Sequence, residues 1–284
     1  MRRVNRPVYF VKYWDKGSTA MGGDQMVPAL ERLGVPARVI HADDLPGVRD
    51  AVLVFIKRAD ILHLAAAWTR GNRCVLDVQD QVVFRRWISH WPFYHAFIFR
   101  NRRQLRDFGR QVRLLGNLWA RSRTIYQHWD PRYRTHLVPN GDLRAGYLGI
   151  RRSLALWERL PGVEFVGPGE WFDRAPGLNV HLSIRAPGRE WRYKPNNKVV
   201  TAAACGAVLI TTPDCSSVEL LGEDYPFYVG GSEPETVAAA LARAAAEIDG
   251  PLWRDALEHL RAVKEATAVD RAARQYVELF EELG

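Results

Sequence analysis

The sequence RYKPNNKVVTAAACGAVLITTP, residues 192–213, contains the pattern that decides the fold class. Pro195 suits the first turn of a helix, because the N–H that proline lacks would have no helical partner there. Gly206 suits the left-handed position that ends a helix, and Ala207–Thr211 is a short apolar run typical of a buried parallel strand. The stretch therefore predicts a helix over 196–205 followed by a strand, the repeating unit of an α/β fold.

The start of this helix has the chemistry of a phosphate site. The first N–H groups of a helix have no partner inside it and carry the positive end of its dipole, so they attract anions. Lys194 and Lys198 add positive charge beside them, and the whole chain has only six lysines. Ligands of open α/β sheets bind at such helix starts. A capped surface helix with flanking lysines would look the same, so both interpretations are open at this point.

Strand-like and helix-like patterns alternate along the rest of the chain, which predicts parallel sheets with crossover helices. Proline, glycine and asparagine accumulate over 127–142, where we expect the linker. We predict an N-terminal domain over 1–130, a C-terminal domain over 142–266 and a last helix over 267–284 that crosses back. The predicted strands are 8–13, 37–40, 51–56, 74–78, 96–99, 123–126, 144–148, 163–166, 178–182 and 207–211. The predicted helices are 24–33, 59–70, 81–91, 101–114, 151–160, 196–205, 216–221, 234–248, 251–264 and 267–283.

Composition excludes several classes of protein. The chain has 284 residues, 47% of them hydrophobic and 25% charged, which is ordinary for a globular protein of two modest domains. Lys and Arg number 40 against 32 Asp and Glu, a net charge of +8 that favours anionic partners, although most of it is dispersed arginine. Cys74, Cys205 and Cys215 form no CxxC pair, so neither zinc nor a disulfide framework is expected. Without a signal peptide or long apolar run, we expect a cytoplasmic protein.

The stretch over 192–213 resembles a known family. It is similar to the motif KPxNKxxxAxAxGxxxI in the donor-binding, C-terminal half of GT-B glycosyltransferases of the glycosyltransferase family 1 type. The residues that match, with those of the following loop, are Lys194, Pro195, Asn197, Lys198, Ala202, Ala204, Gly206, Ile210, Pro213, Ser216, Ser217, Glu219, Leu220 and Leu221. The segments over 143–149 and 160–167 look like the first two strands of the same half, and 127–132 looks like the link between halves.

The resemblance implies two Rossmann-like domains facing a cleft, with a nucleotide-sugar donor (a UDP-, GDP- or TDP-sugar) as substrate and no cofactor. It implies that Lys194 and Arg185 face the diphosphate and that the turn at Gly149 lies close to the sugar or phosphate. Glu219 would bind donor hydroxyls. The donor-binding residues that the resemblance implies are Gly149, Arg185, Lys194, Asn197, Lys198, Ser216, Ser217 and Glu219.

Catalysis needs a group that accepts the proton of the acceptor hydroxyl. We expect Asp80, His128 and Glu219 to be the catalytic residues. Asp80 follows a strand, where capping a helix is an equal alternative, and His128 lies at the predicted hinge. Asp77 and Asp80 do not form the metal-binding pair of metal-dependent transferases, so we expect no metal, and the resemblance slightly favours retention of configuration.

Three positions depart from the family pattern. Tyr193 and Thr201 stand where many retaining members carry glutamates, and Gln79 stands where a histidine is usual. These departures leave a second hypothesis open, a protein that binds a nucleotide sugar or polyanion without catalysis.

The run RNRRQLRDFGR, residues 100–110, places Arg102, Arg103, Arg106 and Arg110 on one helix face. Such a face suits an anionic membrane surface, which would place the protein at the inner membrane face, but a solvated helix face is the ordinary alternative. The acceptor is undetermined and could be a sugar, a lipid-linked molecule or a small molecule. No nucleic-acid-binding motif occurs, so nucleic acid is not expected as a partner.

Overall fold

The computed structural model of this chain describes residues 4–14, 17–79, 90–114, 117, 119–135, 141–149, 160–185 and 193–284. The chain divides into two compact units. Unit 1 comprises Met1–His128, Arg192–Pro195 and Val269–Gly284; unit 2 comprises Trp129–Trp191 and Asn196–Ala268. Most of the predicted helices over 81–91 and 151–160 lies outside the described residues.

Each unit contains one parallel sheet, as the alternating pattern predicts. The sheet of unit 1 has the order β2-β1-β3-β4-β5-β6 and that of unit 2 has the order β10-β9-β7-β8. All the strand pairs are parallel. The strands are β1 Val8–Lys12, β2 Ala37–His41, β3 Val52–Ile56, β4 Arg73–Asp77, β5 Ala96–Phe99, β6 Arg121–Thr124, β7 Ala145–Leu148, β8 Val163–Val166, β9 Val180–Ser183 and β10 Val208–Thr211.

Helices connect most of these strands. The described helices are α1 Gly17–Thr19, α2 Met26–Arg32, α3 Ile61–Thr69, α4 Arg102–Leu114, α5 Trp171–Arg174, α6 Asn197–Cys205, α7 Cys215–Leu221, α8 Pro234–Ala246, α9 Pro251–Ala266 and α10 Val269–Leu283. A π-helix, Ala20–Asp24, precedes α2, so the predicted start of that helix at residue 24 is two residues early. Among the described residues, no helix is long and apolar enough to cross a membrane.

The last helix packs on the sheet of unit 1, as the fold class predicts. The apolar face of α10 is buried, and the rings of Tyr276 and Phe10 of β1 meet edge to face with centroids 5.8 Å apart. The hydrophobic core of unit 1 on this side therefore combines the first strand of the chain with its last helix.

A buried ion pair links α10 to the middle of the same sheet. Arg100, 1% exposed, follows β5 and donates through Nε to Asp77 Oδ1 at 2.9 Å and through Nη2 to Asp77 Oδ2; Asp77 is 0% exposed. Nη1 donates to the carbonyl oxygen of Ile125 at 3.1 Å, and Nη2 also donates to Tyr276 Oη at 3.1 Å. The guanidinium thus pairs with β4, with the segment after β6 and with α10.

Unit 2 is held together by α6 and α9. The small side chains at 202–204 let α6 pack closely, and Gly206 ends it with φ at +69°, a left-handed conformation that suits glycine. Lys264 of α9 donates from Nζ to the carbonyl oxygen of Ala204 at 3.0 Å. Trp129 donates from Nε1 to the carbonyl oxygen of Lys264 at 3.0 Å, which ties the first residue of unit 2 to α9.

Replacing Arg100 should destabilise the protein strongly, although its place in a basic stretch of the sequence suggests an exposed residue. Arg100→Met leaves the Asp77 carboxylate buried without a counter-charge, and we expect the free energy of unfolding to fall by about 3–5 kcal/mol in urea titrations. Arg123→Met, which removes an arginine paired with Glu278 and Glu282 at the surface, should cost less than about 1 kcal/mol. Equal losses for the two variants would contradict this account.

Stability should also depend on His95. Burial, then the charges of Arg73 and Arg6, lower the pKa of His95 to about 4, whereas an unfolded histidine titrates near about 6.5. Between about pH 6.5 and pH 4, His95 is protonated in the unfolded chain but neutral in the folded one. The folded state therefore keeps its full stability above about pH 6.5 and loses stability as the pH falls toward 4. We expect His95→Gln to reduce the pH-dependent loss of stability between pH 7 and 5 by about 1–2 kcal/mol. An unchanged pH profile would be inconsistent with that role.

Candidate functional site

The candidate site lies at one edge of the sheet of unit 2. Because β7, β9 and β10 are parallel, their carboxyl ends share this edge. Gly149 follows β7, Arg185 lies beyond β9 and Thr212 follows β10. Helix α6 connects β9 to β10, so its first residue also lies at this edge, and open α/β sheets bind ligands there.

The start of α6 keeps its N–H groups uncapped by the preceding side chain. Asn196 occupies the N-cap position, where an asparagine commonly accepts a hydrogen bond from the first turn, but its side chain makes no such bond. The first backbone bond of the helix runs from Val200 N to the carbonyl oxygen of Asn196 at 3.1 Å. Asn197 is exposed and Lys198 is half-buried. The positive end of the helix dipole is therefore available to an anion.

Lys198 is held by an aromatic ring. Its Nζ lies 3.4 Å from the centroid of the Tyr147 ring, a cation–π contact. The ring of Tyr147 is also stacked on that of Phe165, with centroids 6.4 Å apart. A Cβ on Gly149 would lie 2.3 Å from Cε1 of Tyr147, closer than two non-bonded carbon atoms can approach. Gly149 is thus required for the ring position that supports Lys198.

Arg185 is paired with the start of α7. Its Nη1 lies 3.0 Å from Oδ2 of Asp214, and both side chains are largely buried. The other carboxylate oxygen of Asp214 accepts a hydrogen bond from Ser217 N at 2.8 Å, so Asp214 caps α7. Ser216 and Ser217 are buried, and Glu219 is half-buried on the same helix. Asp214 therefore orders both the arginine and the helix start.

The structure brings most of the predicted donor-binding residues to this edge. Gly149, Arg185, Asn197 and Lys198 lie at strand ends or at the start of α6, and Ser216, Ser217 and Glu219 lie on α7, which follows β10. Lys194 and His128 belong to unit 1.

Of the predicted site residues that belong to unit 1, the structure describes Lys194 and His128. Lys194 is half-buried, next to Tyr193, whose Oη donates to Asp107 Oδ2 at 2.9 Å. His128 is buried, and its Nε2 lies 2.9 Å from Gln25 Oε1; since an amide oxygen only accepts, Nε2 is the donor. If His128 is the catalytic base, it either keeps its hydrogen bond to Gln25 or exchanges it for one to the acceptor. Asp80 lies outside the described residues.

Unit 1 has a polar group at the carboxyl end of its first strand. Tyr13 Oη accepts a hydrogen bond from Asp60 N at 2.8 Å and lies 3.3 Å from His63 Nδ1. Burial raises the pKa of Tyr13 to about 12, so its hydroxyl is protonated at neutral pH. The guanidinium of Arg58 lies 4.4 Å from the ring centroid of Trp14 beside it. This cluster combines hydrogen-bonding and aromatic side chains from the segments that follow β1 and β3.

Metal ligands are not assembled in the part of the chain that the structure describes. There, no group of three or more His, Cys, Asp or Glu residues is placed to hold a metal ion. Asp77 accepts a hydrogen bond from Nε of Arg100.

Sequence reasoning missed three residues of the unit 2 site. Tyr147 lies inside a strand and looks like a core aromatic, and only the fold places Lys198 on its ring. Asp214 precedes a short helix with serine at its start, a capping signal that could have been found. Asn196 carries no signal in the sequence, because an asparagine before a helix normally caps it.

Comparison with known proteins shows the fold. No protein-family model and no curated protein sequence matches this chain. Among solved structures it is similar to HepE from Anabaena in complex with UDP-glucose, with a TM-score of 0.68 and 10% identity, covering 97% of this chain and 99% of that one. A glycosyltransferase from Rickettsia africae gives a TM-score of 0.69 at 10% identity, covering 98% and 99%. Sucrose-phosphate synthase from Thermosynechococcus elongatus gives 0.66 at 12% identity, covering 98% and 99%. The α/β fold with two parallel sheets is the GT-B fold. The fold class predicted from the sequence is therefore confirmed.

Replacing Gly149 tests the packing of the site. Gly149→Ala should lower the free energy of unfolding by about 1–3 kcal/mol, because the Tyr147 ring must move to admit the new methyl group. In a Tyr147→Leu background the same substitution should cost less than about 0.5 kcal/mol, since the clash is gone. Gly169→Ala is the matched control, because a Cβ there meets nothing within 4 Å. An equal cost of Gly149→Ala in both backgrounds would refute the proposed contact.

Proposed function

We propose that this chain is a glycosyltransferase that takes a sugar from a nucleotide-sugar donor, with the donor diphosphate bound by unit 2. The observation that carries the proposal is the start of α6, where N–H groups left uncapped by Asn196 lie beside Lys198. Helix starts of this kind bind phosphate groups. The proposal is supported by the GT-B fold and by the solved structure of HepE with UDP-glucose.

In this proposal the diphosphate lies at the carboxyl edge of the unit 2 sheet. The N–H groups at the start of α6 and the ammonium group of Lys198 bind its oxygens, and Arg185 adds N–H donors from the neighbouring strand end. Asp214 compensates part of the Arg185 charge and holds the guanidinium in place. Asn197, Ser216, Ser217 and Glu219 are assigned to the rest of the donor, and Lys194 is assigned to the diphosphate, as the family resemblance implies.

The chemistry that this arrangement supports is charge stabilisation. Transfer breaks the bond between the anomeric carbon and a diphosphate oxygen, and the electron pair leaves with the nucleoside diphosphate. Helix N–H groups, Lys198 and Arg185 are fixed donors for that growing negative charge, and fixed donors stabilise a transition state. The acceptor oxygen forms the new bond and gives its proton to a base, for which Asp80 and His128 are our candidates.

Several finer features belong to the proposal. We propose that the reaction needs no metal ion, because the donors named above carry the role that a bound cation has in other transferases. We also propose retention of configuration, which the family resemblance slightly favours. Activity that survives EDTA, and the anomeric configuration of the product by NMR, test these two points.

A non-catalytic nucleotide-sugar-binding protein is the second candidate. Two of the three residues that depart from the family pattern have other contacts: Gln79 donates from Nε2 to Asp77, and Tyr193 donates to Asp107. They take part in local packing, which favours a site without the usual carboxylates and histidine. Binding of a nucleotide sugar without release of nucleoside diphosphate, across a broad acceptor panel, would select this candidate.

For the acceptor side we propose contact with an anionic membrane surface. Arg102, Arg106 and Arg110 lie exposed along one face of α4, whose opposite face is buried. Trp119, 87% exposed, lies in the segment between α4 and β6, and such aromatic residues favour the membrane interface. Sedimentation with vesicles that contain anionic lipid, but not with neutral vesicles, is the expected result.

Nucleotide binding gives the direct test. UDP, GDP and TDP and their glucose derivatives should include one ligand that raises the melting temperature, because a ligand at 100 times its Kd adds about 2.7 kcal/mol of stability. Lys198→Met should weaken that ligand by about tenfold or more, since it removes a charge-assisted contact. Arg254→Met removes one positive charge from an exposed position on α9 and should leave binding unchanged. If no nucleotide shifts the melting temperature, or if both variants bind equally well, the donor site is not where we place it.

A further inference from the structure

The geometry points to Asn196 as the residue that selects the ligand, by pairing its amide with two adjacent hydroxyl groups of a sugar ring. This inference rests on the proposed function, because it assigns a part of the donor to a residue of the same site. It goes further by separating recognition of the sugar from recognition of the diphosphate.

The side chain of Asn196 is buried, at 2% exposure. Among the residues that the structure describes, neither its Nδ2 nor its Oδ1 has a hydrogen-bond partner. Burying an unpaired amide costs free energy, and most buried polar groups in proteins are paired. The side chain of Asn196 also does not cap α6, although an asparagine in this position commonly caps a helix. The stability of α6 therefore does not explain why an asparagine is buried at this position.

A second buried polar group at the same sheet edge supports a ligand there. The hydroxyl of Thr212 is buried and also has no hydrogen-bond partner in the described part of the chain. Thr212 follows β10, which pairs with β9 so that Thr211 lies opposite Ser183. Asn196 follows β9 along the chain, immediately before α6. Two unpaired polar side chains thus lie at the carboxyl edge of neighbouring strands.

The chemistry of the amide identifies the kind of ligand. Nδ2 only donates and Oδ1 only accepts. Phosphate oxygens at neutral pH accept, so a diphosphate would satisfy Nδ2 and leave Oδ1 unpaired. Two adjacent hydroxyl groups satisfy both atoms, because one accepts from Nδ2 while the other donates to Oδ1. The amide therefore matches a sugar ring, and the α6 N–H groups and Lys198 match the diphosphate.

Access to the amide requires a local movement. Asn196 is covered in the structure, so a sugar reaches it only when the residues over it move. No hydrogen bond to the amide has to break for this, so uncovering it costs less than uncovering a paired amide.

Binding measurements on two variants test the inference. Asn196→Leu keeps the approximate size of the side chain and removes both polar atoms, and Asn196→Ala removes them without adding a charge. Titration calorimetry with pyrophosphate, UDP, 2′-deoxy-UDP and UDP-glucose, or with the base that the wild type prefers, measures each affinity. We expect both variants to lose tenfold or more in affinity for the nucleotide sugar and less than twofold for pyrophosphate. Asn196→Leu should melt no lower than the wild type, because it removes an unpaired buried amide.

The set of ligands separates the two sources of adjacent hydroxyls. A loss confined to UDP-glucose assigns the transferred sugar. A loss shared by UDP and UDP-glucose, but absent with 2′-deoxy-UDP, assigns the ribose, and either result supports the inference. If Asn196→Leu does not fold, Asn196→Ala gives the same comparison.

The contrary outcomes are distinct. Equal weakening of all four ligands together with a lower melting temperature would show a structural role and overturn the inference. Tight binding of UDP-glucose by both variants would overturn it while the proposed function stands. A wild type that binds none of the nucleotides would remove the proposed function, and this assignment with it.

Discussion

The buried guanidinium of Arg100 is the constraint on which unit 1 depends. A charge at 1% exposure has to be paired on all sides, and its partners come from β4, from the segment after β6 and from α10. Residues far apart in the sequence must therefore meet before the pair can form. This requirement explains why the last helix of the chain completes the unit that the first strand begins.

Unit 2 follows a different constraint, the parallel pairing of its strands. Parallel strands end at one edge, so Gly149, Arg185 and the starts of α6 and α7 are brought there by topology. Side chains then refine the edge: the Tyr147 ring holds Lys198, and Asp214 holds Arg185. The glycine at 149 is needed for a packing reason, because any side chain there would displace the ring. The geometry of this edge depends on the small residue Gly149 as well as on the charged ones.

Much of the fold could be predicted because its signals are local. Apolar runs such as Val52–Ile56 predict buried strands, and the proline and glycine around α6 predict its limits within one or two residues. The edge strand β6 was predicted at 123–126 but runs over Arg121–Thr124, because pairing with β5 sets its register. Arg100 shows the limit most clearly. In the sequence it opens a basic run that suits a surface, whereas in the structure it is buried on Asp77.

By itself the sequence determined the parallel α/β architecture, a helix over 196–205 with Lys198 in its first turn, and the resemblance to GT-B glycosyltransferases. These follow from hydrophobic periodicity, capping residues and a short motif, all of which act over a few residues. Only the tertiary structure decided that Lys198 lies on Tyr147, that Asp214 pairs with Arg185 and that the buried amide of Asn196 has no partner among the described residues. Those facts depend on which side chains meet across strands and helices, and long-range packing has no local signature in the sequence.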